Sequence, residues 1–144
     1  MTFAREMLEA APVELEVSVA EVADAIDASA ACAQACVSCA NSCLGEPDVA
    51  DLARCTARCS ICADVCDATV RVLSQPVHSD RSVWQKLLEA CVRTCMSSAE
   101  ECERHAPHHR HCAICLQACR ACIKACETLL DAEAFQELKK LAGG

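Results

Sequence analysis

The sequence predicts an all-α fold, an antiparallel up-down bundle of four long helices with short helical segments at its N- and C-terminal ends. Three observations predict it. Only 3 Gly and 4 Pro interrupt 144 residues, and the rest is rich in the helix formers Ala, Leu and Glu. Those few breakers fall between four long stretches. Within these stretches all 16 cysteines recur at helical spacing.

The elements follow in order. Residues 1–11 form a short helical lead-in, halted near Pro12. A first long helix is expected over about 13–44, with Gly45 as its stop and Pro47 opening the next. The second spans about 48–74. A loop containing Pro76 follows, and Ser79 or Asp80 caps a third helix over about 81–105. Pro107 breaks the chain before a fourth helix over about 108–130. Asp131 caps a last short helix through Leu141. Short connections make successive helices antiparallel neighbours, and the chain reads as a single domain, 1–144.

The first long helix carries Cys32, Cys36, Cys39 and Cys43, at steps of 4, 3 and 4. The second repeats those steps with Cys55, Cys59, Cys62 and Cys66. The third carries Cys91, Cys95 and Cys102, with Ser98 in the slot where a fourth thiol would complete the pattern. The fourth carries Cys112, Cys115, Cys119, Cys122 and Cys126. Steps of three and four place residues on one helix face, the positions that line a bundle core. Each stripe spans roughly 17–21 Å at the helical rise, so the thiols form a tube rather than one site.

Extending the register assigns further core residues. Before Cys32 it gives Ser29, Ala25, Val22, Ser18 and Leu15. At the end away from the connections after Leu44 and His105, Leu73, Trp84, Leu88 and Leu129 form an apolar plug. His105 and His108 fall on the stripe at the opposite, thiol-rich end, where they are candidate terminal ligands. His109 and His111 fall off it and are expected to be exposed.

This pattern selects a chemistry. Cβ atoms at i and i+4 lie about 5–6 Å apart, too far for a disulfide. The first residues show no apolar secretory segment, so a reducing compartment is expected, where clustered Cys bind metal. Buried thiolates need neutralising. Cu(I) does this at roughly one ion per Cys, and soft thiolates favour it. Separate four-ligand zinc sites leave buried negative charge, although bridged zinc or cadmium clusters remain an alternative, as a thiolate buffer or detoxification protein. Iron–sulfur clusters fit poorly, because the loops lack Cys. A net charge of −8 disfavours nucleic acid and anionic membrane, and no stretch is apolar enough to span a bilayer. No enzyme signature appears: there is no exposed CxxC beside a βαβ pattern and no paired Glu-x-x-His.

The repeated CxxxCxxCxxxC on successive helices resembles the bacterial copper storage proteins, over Cys32 through Cys126. The resemblance implies a Cys-lined four-helix bundle holding many Cu(I) ions, with all sixteen Cys as ligands. It also implies copper entering beside histidines, where His105 and His108 match, and a homotetrameric assembly. Lack of a twin-arginine signal resembles the cytosolic branch, and a copper chaperone is a possible delivery partner. Ser98 departs from the filled pattern.

Overall fold

The computed structural model describes residues 2–143. Met1 and Gly144, the outer limits of the expected terminal segments and of the domain 1–144, lie outside the described residues. Six α-helices occur among the described residues: α1 (Ala4–Ala10), α2 (Val19–Leu44), α3 (Ala53–Leu73), α4 (Arg81–His105), α5 (Arg110–Leu130) and α6 (Glu133–Gly143), with a 3-10 turn at Val49–Leu52. No strand occurs among the described residues, and no described helix is long and apolar enough to cross a membrane.

Helices α2 to α5 form the bundle, each packed against the next and α5 closing back on α2. Cross-helix sulfur contacts give the directions. Cys39–Cys112 and Cys32–Cys119 run in opposite order along α2 and α5, and so do Cys55–Cys102 and Cys66–Cys91 along α3 and α4. Neighbours are therefore antiparallel, as the short connections require.

Local chemistry moves three predicted boundaries. The first long helix begins at Val19 rather than 13, because Ser18 has extended backbone and its Oγ accepts from the Glu21 N–H at 3.2 Å. Ser18 is accordingly an exposed cap, and Leu15 lies in the irregular segment before it, so neither lines the core in register. The second helix starts at Ala53, after the 3-10 turn, rather than at 48. The fourth starts at Arg110, with His109 extended at its N-terminus, rather than at 108. Helix α4 has its expected span, capped by the Asp80 carboxylate, which accepts from the Ser82 N–H at 2.9 Å. Gly45 ends α2 with φ −93°, a conformation open to any residue, so its stop does not depend on the left-handed region.

The plug lies where the register put it. Leu73, Leu88 and Leu129 are fully buried and Trp84 nearly so. Helix α6 adds Phe135, also fully buried, whose carbonyl accepts from Gln85 Nε2 at 3.2 Å. Each such side chain contributes about 1.5–3 kcal/mol through burial. Near the opposite end, the buried Glu101 carboxylate of α4 accepts from Arg58 of α3 at 3.2 Å and Arg54 at 3.5 Å, with Arg104 at 3.6 Å. These cations satisfy a charge that would be costly alone.

The plug and the thiols are spatially separate, so damage to one should spare the other. Leu88→Ala should lower the metal-free chain's stability by about 2–5 kcal/mol in chemical denaturation. Its copper capacity under native conditions should match the parent.

Candidate metal centre

All sixteen cysteines are buried and none is in a disulfide. The 3–4 spacing turns each helix's sulfurs toward the bundle axis, where they meet those of the other helices. The sulfurs fall into two groups. Cys39, Cys43, Cys55, Cys59, Cys102, Cys112 and Cys115 form a mouth group beside the α2–α3 and α4–α5 connections. Cys32, Cys36, Cys62, Cys66, Cys91, Cys95, Cys119, Cys122 and Cys126 form an inner group reaching toward the plug. Inner contacts include Cys62–Cys95 at 3.6 Å, Cys32–Cys119 at 3.8 Å and Cys91–Cys122 at 3.9 Å. Mouth contacts include Cys59–Cys102 at 3.8 Å and Cys59–Cys115 at 3.9 Å.

Several quartets have all donor atoms within 4.8 Å of one another: Cys32, Cys66, Cys95 and Cys122; Cys32, Cys36, Cys62 and Cys119; Cys39, Cys59, Cys102 and Cys115. Cys32 is shared by the first two quartets, and the 3.6 Å contact between Cys36 and Cys115 joins them to the third. At the inner limit Ser29, also fully buried, places its Oγ 3.5 Å from Cys122 Sγ.

The histidines differ from the expectation. His111, expected exposed, is half-buried and joins a quartet with Cys39, Cys43 and Cys112. Its Nδ1 lies 3.4 Å from Cys39 Sγ and 3.6 Å from Cys112 Sγ. Its Nε2 lies 3.0 Å from Glu46 Oε2. With Nε2–H donating to Glu46, the Nδ1 lone pair faces the sulfurs. His109, also expected exposed, has a side chain only 11% accessible. It sits between Glu46 at 2.5 Å and Asp48 at 3.0 Å, stacked on His111 at 5.5 Å between ring centres. By contrast, His105 turns to Glu101 at 3.8 Å, and His108 is exposed. The stripe rule missed His111 because a residue preceding an in-register Cys in the first turn reaches the tube's mouth from its rim. The acidic pair Glu46 and Asp48 in the facing connection was the available signal.

The sulfur–sulfur hydrogen bonds shift the thiols in both directions, raising Cys115 and lowering Cys119, and a polar rim lies beside them. Burial, above all, pushes the Cys112 thiol up to about 12. The hydrogen bond to Cys122, then that to Cys91, and burial raise Cys126. Cys122, the acceptor in the pair with Cys126, is lowered first by that hydrogen bond. At the rim, the hydrogen bond to Asp48, reinforced by Asp48 and Glu46 charge, raises His109, and the same bond lowers Asp48. When protonated, His109 donates one ring N–H to Glu46 and the other to Asp48.

With this geometry in place, comparison with known proteins gives a consistent result. Residues 18–131 match the family described as Csp, copper storage protein. The chain is similar to the copper storage protein Ccsp of Streptomyces lividans loaded with 10 copper equivalents, with 43% identity, TM-score 0.87, and coverage of 88% of this chain and 97% of that one. A second structure, of a cytosolic copper storage protein from Streptomyces lividans with five coppers, is 45% identical with TM-score 0.78, over 78% of this chain and 94% of that one. The uncharacterized cysteine-rich protein YhjQ of Bacillus subtilis (strain 168) is 29% identical over 72% of this chain and 91% of its own length.

The raised Cys112 thiol sets a pH dependence for the metal-free chain. The folded state holds this proton to about pH 12, against an ordinary value of 9.0. The associated stability is fully present below pH 9.0 and is lost as pH rises toward 12. Circular dichroism should show the thermal midpoint of the reduced, metal-free chain falling across this window. The copper-loaded chain, with no thiol proton left to release, should hold its midpoint.

Proposed function

Because the chain belongs to the copper storage protein family, its function is the binding and storage of Cu(I) by core thiolates, and we propose that all sixteen cysteines and His111 Nδ1 are the ligands. One observation carries this ligand set: sixteen buried, unbridged sulfurs share a continuous axis, with a ring nitrogen facing the outermost of them. Each uptake step exchanges a thiol proton for Cu⁺, so the tube is neutral both empty and filled. Loading to roughly one ion per thiol then needs no buried counter-charge. Soft sulfur donors favour Cu(I) over harder cations.

Copper enters, on this reading, at the end carrying His111, His109, Glu46 and Asp48, since the opposite end is closed by Leu73, Trp84, Leu88, Leu129 and Phe135. Glu46 fixes the His111 ring so that Nδ1 meets the incoming ion, an outer-shell role that orients a ligand. His105 and His108 take no part in binding. The chain works as a store and not as a catalyst. Residence in the cytosol is supported by likeness to the cytosolic copper storage protein of Streptomyces lividans. A homotetramer would cover the exposed Val37, Ile61 and Ile114 on the outer faces of α2, α3 and α5. Delivery by a copper chaperone completes the reading.

Titration of the reduced chain with Cu(I) against a chromophoric chelator checks the ligand set. The expected end point is about one ion per thiol, with zinc displaced by copper. Saturation near one ion per four thiols, with Zn(II) retained in preference to Cu(I), would favour tetrahedral zinc sites instead. The mouth is checked separately: Glu46→Gln should weaken the outermost copper by about tenfold in chelator competition while total capacity is unchanged.

A further inference from the structure

One quartet at the tube's mouth differs in kind from the all-sulfur quartets named above. In it Cys39, Cys43 and Cys112 are joined by His111, with all donor atoms within 4.8 Å of one another. Its edges measure 3.9 Å for Cys39–Cys112, 3.4 Å for Cys39 to His111 Nδ1 and 3.6 Å for Cys112 to the same nitrogen. An ion held tetrahedrally at about 2.3 Å from sulfur and about 2.0 Å from nitrogen sets edges of about 3.8 Å between sulfurs and about 3.5 Å between sulfur and nitrogen. The measured edges match both. Outside the set, Glu46 Oε2 lies 3.0 Å from His111 Nε2. A carboxylate in that position fixes the ring and raises the basicity of its other nitrogen toward a metal.

Charge separates this quartet from the rest. Zn(II) on four thiolates leaves two negative charges, and inside the tube those lie out of water's reach. Zn(II) on three thiolates and a neutral imidazole leaves one. That charge sits at the rim, where His111 and Glu46 are only half-buried and water can screen it. Three Cys and one His are also a donor set that Zn(II) takes as a closed tetrahedral site. We infer that Cys39, Cys43, Cys112 and His111 form a single Zn(II) site, filled in the copper-free chain and emptied by incoming Cu(I). Zinc binding releases the protons of the three thiols. On displacement Zn²⁺ leaves the three sulfurs and His111 Nδ1, Cu⁺ ions take the thiolates they favour, and no electron is transferred. While bound, the zinc ties Cys39 and Cys43 of α2 to His111 and Cys112 of α5, so the mouth ends of these helices stay together before copper arrives. The displacement rests on the storage reading above, whereas the zinc site stands on its own geometry.

Titration of the reduced, copper-free full chain with Zn(II) against a chromophoric zinc chelator reads the site. A single ion per chain should resist the chelator, and further zinc should not. Zinc K-edge absorption of that complex should show a shell of three sulfurs and one nitrogen. Glu46→Gln should weaken the zinc about tenfold and His111→Ala by more, whereas His105→Ala should leave it unchanged. Circular dichroism checks the fold of each, and Glu46→Gln, which removes no ligand, decides the matter where His111→Ala folds poorly. Adding Cu(I)–bicinchoninate should release the zinc as copper fills the tube to about one ion per thiol. No chelator-resistant zinc, an all-sulfur shell, or equal affinity in His105→Ala and His111→Ala would overturn the zinc site and leave storage intact. A single zinc that copper does not release would overturn the displacement. Zinc retained against copper at about one ion per four thiols would overturn both the single site and storage.

Discussion

A thiolate in a dry interior must be neutralised where it stands, by its own proton or by a bound cation. Sixteen sulfurs share one interior here, so this requirement governs the whole molecule. Protonated, they are small and weakly polar and let a bundle close around them. Bound to a monovalent soft ion, each remains neutral and the same helices remain packed. A chain that fills its core with the smallest sulfur side chain gives up much of the burial that larger residues would supply. The compensating apolar volume is concentrated at one end, in Leu73, Trp84, Leu88, Leu129 and Phe135. Stability and cargo are thereby assigned to different lengths of the same four helices.

The same constraint explains why the two ends differ. Toward the closed end the buried polar side chains Ser29, Thr69 and Gln85 are hydrogen-bonded to sulfur, to the Val65 carbonyl and to the Phe135 carbonyl respectively. At the end proposed for copper entry, a thiol proton must leave for each ion that arrives. There the chain places two imidazoles between carboxylates, in the order Asp48, His109, Glu46, His111. This string leads from solvent to the Cys39 and Cys112 sulfurs. The buried Glu101 with its arginines, on the α3–α4 side, holds the helices together near that mouth.

Most of the fold and of the sulfur tube could be read from the amino-acid order because both rest on one periodicity. Cys at steps of three and four names the helices, their inward faces and their common axis together, and the residues continuing that register toward the plug are buried apart from Ser18 and Leu15. What escaped was set by short-range chemistry instead. Ser18 with Glu21 is an N-terminal capping pair, and recognising it would have started α2 at Val19. Phe135 lies outside the four stripes, and only the fold-back of α6 brings it over the plug. His111 is off the stripe by one residue, yet the turn at the start of α5 carries its ring to the rim. His105 obeys the stripe, but its ring nitrogen lies 3.8 Å from Glu101, an acidic neighbour four residues earlier.

The most direct test of the central claim is copper K-edge X-ray absorption on the fully loaded, reduced chain. Sulfur ligation along the tube predicts a Cu(I) edge and a first shell made almost entirely of sulfur, with short copper–copper vectors from ions held between shared thiolates. A first shell dominated by nitrogen and oxygen, or an edge at the Cu(II) position, would contradict it.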